Sequence, residues 1–248
     1  MKAVILILAT GCFLAAQPPG GRGGPPAEAR SAKAAAVFDP TGYWVSYVTE
    51  EWRQRMLPPR KAGPAAGPPG FPGAAFGGMP LTPEAQKIAE AWDPARDEAA
   101  GEQCKAYGAP NIMRVPSRLH ITWQDDNTLK MDVDAGQQTR LFHFQEAKSG
   151  GERTWQGSSA AAWQDGALQV VTTNLRPGYL RNNGIPYSNA AFVNEYFNLV
   201  PLPGGEQLLM DIIVVQDPKY LTDRVVTSVQ FKKEADGTKW DPEPCKAR

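Results

Sequence analysis

Three charged residues stand out because strand alternation places each of them among large apolar neighbours. In a β-strand, residues i and i+2 share a face. On that rule Arg140 lies with Phe142 and Phe144, Glu195 with Val193, Phe197 and Leu199, and Asp211 with Leu209, Ile213 and Val215. A charge on a buried apolar face is costly unless it is paired. If these faces turn inward, Arg140 must meet Glu195 or Asp211, and such a cluster is a candidate for acid–base chemistry or for ligand binding. A structural ion pair fits the same pattern, because both faces of these strands carry apolar residues.

A second set of candidate side chains sits in one loop, Arg176-Pro177-Gly178-Tyr179-Leu180-Arg181-Asn182-Asn183-Gly184-Ile185-Pro186-Tyr187. Arg176 and Arg181 offer paired donors suited to an anionic group, and Tyr179 and Tyr187 stand beside them. Long loops over a barrel mouth often carry binding residues; the alternative is a solvated loop ordered by its prolines. The two histidines, His120 and His143, have no HExxH pattern near them, and no Gly-x-Ser-x-Gly elbow occurs. Asp125-Asp126-Asn127 reads as a turn and lacks the further ligands of a calcium loop. No glycine-rich phosphate loop follows a strand. The residues point to no metal and no cofactor, and they define no catalytic set beyond the charged cluster.

The chain opens Met1-Lys2-Ala3-Val4-Ile5-Leu6-Ile7-Leu8, continues apolar through Phe13-Leu14 and ends in Ala15-Ala16. This is the layout of a secretory signal peptide over 1–16, too short to span a bilayer. A rival reading makes Cys12 the lipidated residue of an anchored lipoprotein. If Cys12 leaves with the signal, Cys104 and Cys245 remain, and an even pair in an exported chain favours a disulfide over two free thiols. It would close a loop of about 140 residues, for which the chain-entropy argument gives roughly 4–5 kcal/mol at most. The expected location is periplasmic or secreted. The 26 basic and 26 acidic residues balance, without a basic run, which disfavours nucleic-acid binding. No later stretch has transmembrane length, and nothing in the composition speaks to oligomeric state.

The elements that must position these residues are mostly strands. Residues 17–37 are Pro, Gly and Ala with scattered charge and read as a disordered tether. A second low-complexity stretch over 57–80 reads as a surface loop between a strand from Tyr43 to Trp52 and a helix. Thr82 can cap that helix, Pro83 suits its first position, and Ile88, Ala91 and Trp92 share a face. Asp93-Pro94 interrupts it, and a weaker helical turn covers Ala95 to Glu102. Strands then follow one another: Arg118–Trp123, Thr128–Ala135, Thr139–Glu146, Trp155–Trp163, Ala167–Leu175, Ala191–Pro201, Glu206–Val215 and Val225–Glu234. The expectation is a mostly β domain over 38–248. It is an antiparallel meander closing into a lipocalin-like barrel, with one short helical insertion near its N-terminus. A sandwich is the alternative.

Several short motifs occur in a fixed order: Cys104-x-x-x-Gly108-x-Pro110-x-x-Met113, Trp155-Gln156-Gly157-Ser158-Ser159 with Trp163 after it, Gly184-x-Pro186-Tyr187-Ser188, Glu195-Tyr196 and Asp217-Pro218-x-Tyr220. Together, over Phe38 to Cys245, the chain resembles a group of exported β-rich proteins of environmental bacteria that has no established activity. The resemblance implies an exported β fold. Where that group is expected to carry Gly-x-Pro-His-Ser, this chain has Tyr187, so any shared histidine chemistry does not transfer. Gly42-Tyr43-Trp44 also resembles the Gly-x-Trp that opens lipocalins.

Three functional expectations follow. The first is a binding module in the cell envelope, with a barrel pocket for a small apolar or amphiphilic ligand. The second is an enzyme on the same barrel, doing isomerase or cyclase chemistry with Glu195 or Asp211 beside Arg140. The third is an interaction protein whose barrel is filled by its own Trp and Phe side chains.

Overall fold

The computed structural model describes residues 30–47, 75–145 and 151–247. The expected signal peptide, Cys12, most of the tether and most of the 57–80 loop lie outside these residues.

Nine strands close into a barrel. They are β1 (Gly42–Ser46), β2 (Arg118–Asp125), β3 (Thr128–Val133), β5 (Gln138–His143), β6 (Ser158–Gln164), β7 (Ala167–Thr173), β10 (Phe192–Pro201), β11 (Gln207–Gln216) and β12 (Val225–Lys233). Two two-residue pairs stand apart: β4 (Ala135–Gly136) with β13 (Glu243–Pro244), and β8 (Gly178–Tyr179) with β9 (Pro186–Tyr187). Around the wall the order is β1-β12-β11-β10-β7-β6-β5-β3-β2. Direction alternates around an antiparallel ring, so a ring with an odd number of strands must contain a parallel neighbour. It falls at β5–β6, where pairing is confined to Phe142↔Ser159 and His143↔Ala160. Every other neighbouring pair is antiparallel. The chain departs from a strict meander at this one seam. Strand β6 starts at Ser158, later than the expected Trp155, because Gly157 takes φ +62° and its N–H turns back to Thr154 O.

Inward positions follow the period of two. Trp44, Leu119, Phe142, Phe197, Ile213 and Phe231 are almost fully buried and fill much of the interior. The strands that begin and end the barrel are tied at Trp44: its indole N–H donates to Pro40 O at 2.9 Å, and Lys233 Nζ sits 4.4 Å over the ring. Burying Trp44 fully makes it one of the larger single contributions to the core.

The two barrel ends are closed differently. One end, beneath the first residues of β10 and the last of β7, carries a helical cap. The cap contains α1 (Pro83–Glu90), α2 (Pro94–Ala99), a 3-10 turn (Gln103–Tyr107) and α3 (Ala109–Ile112). Thr82 caps α1 by accepting from Ala85 N. The buried stripe of α1 is Ala85 and Ala89, whereas Ala91 is exposed. The helix stops at Glu90, which leaves Ala91 as a solvent-facing C-cap. A disulfide joins Cys104 in the cap to Cys245 beside β13, with Cα atoms 5.1 Å apart. The other end is closed by residues 31–40. Ala32, within the stretch expected as a tether over 17–37, and Pro40, in the expected domain, are both buried. Within the expected 57–80 loop, Ala75–Gly78 forms a 3-10 turn with Phe76 buried.

Candidate ligand site in the barrel interior

Arg140, Glu195 and Asp211 all point inward, with exposures of 1%, 0% and 0%. Arg140 comes from β5, Glu195 from β10 and Asp211 from the adjacent β11, in each case flanked on its own strand by buried apolar residues such as Phe142, Phe197 and Ile213. The Arg140 guanidinium donates twice to Glu195, Nη1 to Oε1 at 2.7 Å and Nη2 to Oε2 at 2.5 Å. Nη2 also donates to Thr172 Oγ1 at 3.2 Å, and Thr172 shares a 2.8 Å hydrogen bond with Ser159. The guanidinium carbon lies 4.9 Å over the Phe142 ring. This two-point arrangement is the strongest form of the charge pair.

The third member is not paired. Among the described residues, neither Asp211 side-chain oxygen has a hydrogen-bond partner, and neither does Arg140 Nε. Burial, and then repulsion from Glu195, push the Asp211 carboxyl well above the usual carboxylate range. Arg140 and the Tyr196 backbone N–H pull the other way without offsetting them. The Tyr196 N–H approaches the carboxyl from the neighbouring strand and lowers its pKa, but falls short of good hydrogen-bond geometry. Arg140 already serves Glu195, so one cation faces two carboxyls, and the site favours the neutral form of Asp211. For Arg140 burial opposes the charge, but Glu195 and Asp211 more than offset it and raise its pKa. A neutral acid with both oxygens free can donate one hydrogen bond and accept others.

The loop from Arg176 to Tyr187 covers the cap end, and its side chains go to separate places. Arg176 pairs with Glu102 and lies 4.4 Å over the Trp155 ring. Tyr179 donates to Asp97 at 2.8 Å, and burial together with that bond raises its pKa. Arg181 reaches Met79 Sδ. Tyr187 is fully buried in the cap, its pKa is raised by burial, and among the described residues its hydroxyl has no partner. These four residues do not converge on Arg140; they fasten the loop to the cap.

Sequence reading missed Thr172, Ser159 and a group of rings at the plugged end. Thr172 alternates with Val170 and Leu168 on β7, which is the signal that could have found it. Trp163 stacks on Phe144 with centroids 5.5 Å apart, Phe144 leans on Trp123 at 5.6 Å, and Phe38 meets Trp163 edge-on at 5.1 Å. Register links this group to the charged cluster: Trp163 pairs with Leu168, Leu168 with Phe197, and Phe197 with Asp211. A cleft of about 1260 Å³ also opens on the outer wall at the β5–β6 seam, lined by residues including Asp125, Thr139, His143 and Gln156. Of the residues linked to the charged cluster, Ser159 lines it; Arg140, Glu195 and Asp211 do not. Among the described residues no group of His, Cys, Asp or Glu could hold a metal ion, and no helix is long and apolar enough to cross a membrane. No family model matches the chain, and no curated protein or solved structure matches it either.

Proposed function

We propose that this protein is a binding module that holds a small amphiphilic ligand inside the barrel. Its polar group would meet Asp211 and Arg140 Nε, and its apolar part would lie against the inward rings. The observation that carries this reading is the Asp211 carboxyl, fully buried with both oxygens unpartnered beside an ion pair that does not need it. Buried polar groups are almost always hydrogen-bonded, and an exception calls for a partner such as water or a ligand. Asp211 offers a donor and an acceptor, Arg140 Nε offers a donor, and the surroundings are aromatic, which is the usual make-up of a small-molecule site. The Cys104–Cys245 disulfide is compatible with an oxidising compartment, so we place the module in the envelope or outside the cell.

The test is a titration with N-phenylnaphthylamine, two apolar ring systems joined by an N–H, whose emission rises in apolar surroundings. The expected result is saturable binding of one probe per chain at a temperature where the protein is fully folded. A signal that rises linearly without saturating contradicts the proposal.

A second reading is favoured by the same cluster. Asp211, whose neutral form burial favours, lies buried beside the Glu195–Arg140 pair, so a proton donor and a carboxylate stand close together, which is the arrangement acid–base isomerisation or cyclisation requires. It becomes the better reading if a bound small molecule is converted by the wild type and recovered unchanged from Glu195→Gln.

A further inference from the structure

The two ends of the barrel differ in how firmly they are shut. The cap end is locked by the Cys104–Cys245 disulfide, by backbone hydrogen bonds from Thr82 N to Tyr220 O and Thr222 N to Pro80 O, and by buried Ile112, Met113 and Leu175. The opposite end is closed by residues 31–40. Three hydrogen bonds tie this segment to the β2–β3 turn and β6: Lys33 N to Asp126 O at 3.0 Å, Ala32 N to Asn127 Oδ1 at 2.9 Å, and Trp163 Nε1 to Ala32 O at 2.8 Å. Phe38 adds its edge to the Trp163 face. A cleft of about 580 Å³ remains between this segment and β2, bounded by Lys33, Phe38, Thr122 and Trp123. The fit is therefore incomplete.

Beneath Phe38 the half-buried rings of Trp163, Phe144 and Trp123 lead inward. The inward face of β5 carries this path from Phe144 to Phe142, and Phe142 lies under the Arg140 guanidinium. Phe142 also touches Phe197, with centroids 5.8 Å apart, and Phe197 is the register partner of Asp211. Two groups of rings, Phe38–Trp163–Phe144–Trp123 and Phe142–Phe197, thus lie along the wall between the plugged end and the unpartnered acid, joined by the shared face of Phe144 and Phe142 on β5.

Resting on the ligand reading above, we infer that residues 31–38 occupy the entrance to the ligand site in cis, with the Phe38 ring standing where the apolar ring of a ligand docks. The ligand class is thereby narrowed to a molecule with a flat apolar ring of phenyl size or larger and a hydrogen-bonding group beyond it. Binding requires the segment to swing aside, and the apparent affinity is reduced by the fraction of molecules in which it has done so.

Full-chain variants with N-phenylnaphthylamine as the probe test this. Phe38→Ala removes the occupant. Asn127→Ala removes the acceptor of the Ala32 N–H without touching the rings. If the entrance is open in about a tenth of molecules, each variant tightens probe binding by up to about tenfold. Trp163→Leu weakens binding, because it removes the ring the probe stacks on. Unchanged or weaker binding to both Phe38→Ala and Asn127→Ala overturns the inference while leaving the ligand reading in place. No saturable binding to wild type or to either variant overturns both.

Discussion

Arg140 on β5 and Glu195 on β10 meet inside the barrel, with β6 and β7 between them along the wall, and share two hydrogen bonds of 2.7 and 2.5 Å. Opposite sides of the sheet are thus joined by a bond that no strand pairing provides. Arg140→Ala would leave Glu195 charged and unpaired at full burial, which typically costs about 3–5 kcal/mol. Urea unfolding should show a loss in that range. A loss well under about 1 kcal/mol, the range of an exposed pair, would contradict the placement. The double change Arg140→Met with Glu195→Leu should recover most of the stability, since apolar replacement of a buried pair is often neutral or stabilising.

Asp211 makes the stability of the barrel depend on pH in a defined sense. Its folded-state pKa lies above the unfolded value of roughly 4. The folded protein therefore binds more protons than the unfolded chain above that pH. The contribution is fully present below about pH 4 and is lost as pH rises towards the folded-state pKa. Asp211→Asn keeps the shape and cannot ionise. The stability of wild type relative to Asp211→Asn should fall as pH rises from 4 towards neutrality. A difference that is flat or rises over that window would show that Asp211 is not held neutral.

That Arg140, Glu195 and Asp211 each share a strand face with apolar residues was legible in the sequence, because the period of two fixes which residues lie together; that these faces turn inward was not, since both faces of the strands carry apolar residues. Thr82 and Pro83 were legible for the same local reason: the cap side chain bonds its own first turn. What was not legible depends on distant partners. The parallel seam at β5–β6 follows from how the ring closes rather than from either strand. Tyr179 finds its acceptor, Asp97, across a sequence separation of 82. Phe38 was read as the first residue of the ordered domain, but its partner Trp163 lies 125 residues away and nothing local points to it.

The disulfide locks the cap to the C-terminal segment. Non-reducing peptide mapping should recover Cys104 linked to Cys245. Cys245→Ser should lower stability by up to about 4–5 kcal/mol, the chain-entropy value for a loop of this size. Both thiols reacting freely in the folded, unreduced protein would contradict the bridge.

Gly184 shows how closely the loop and the cap fit. Its φ is +78°, and a Cβ there would lie 2.2 Å from the Trp92 ring. Gly184→Ala must both strain the backbone and displace Trp92, an overpacking cost of about 1–3 kcal/mol before the φ penalty. A thermal scan should show a clear drop. No change would mean that the loop does not sit on Trp92.

The most direct test of the ligand site is the variant Asp211→Leu, measured for both stability and probe binding. Removing a buried polar group without partners should leave the barrel as stable as wild type or more so. If Asp211 serves the ligand, the same change removes a hydrogen bond worth about 1 kcal/mol and weakens N-phenylnaphthylamine about fivefold. The account expects stability kept or raised with affinity reduced. Unchanged affinity in a folded Asp211→Leu protein would contradict it.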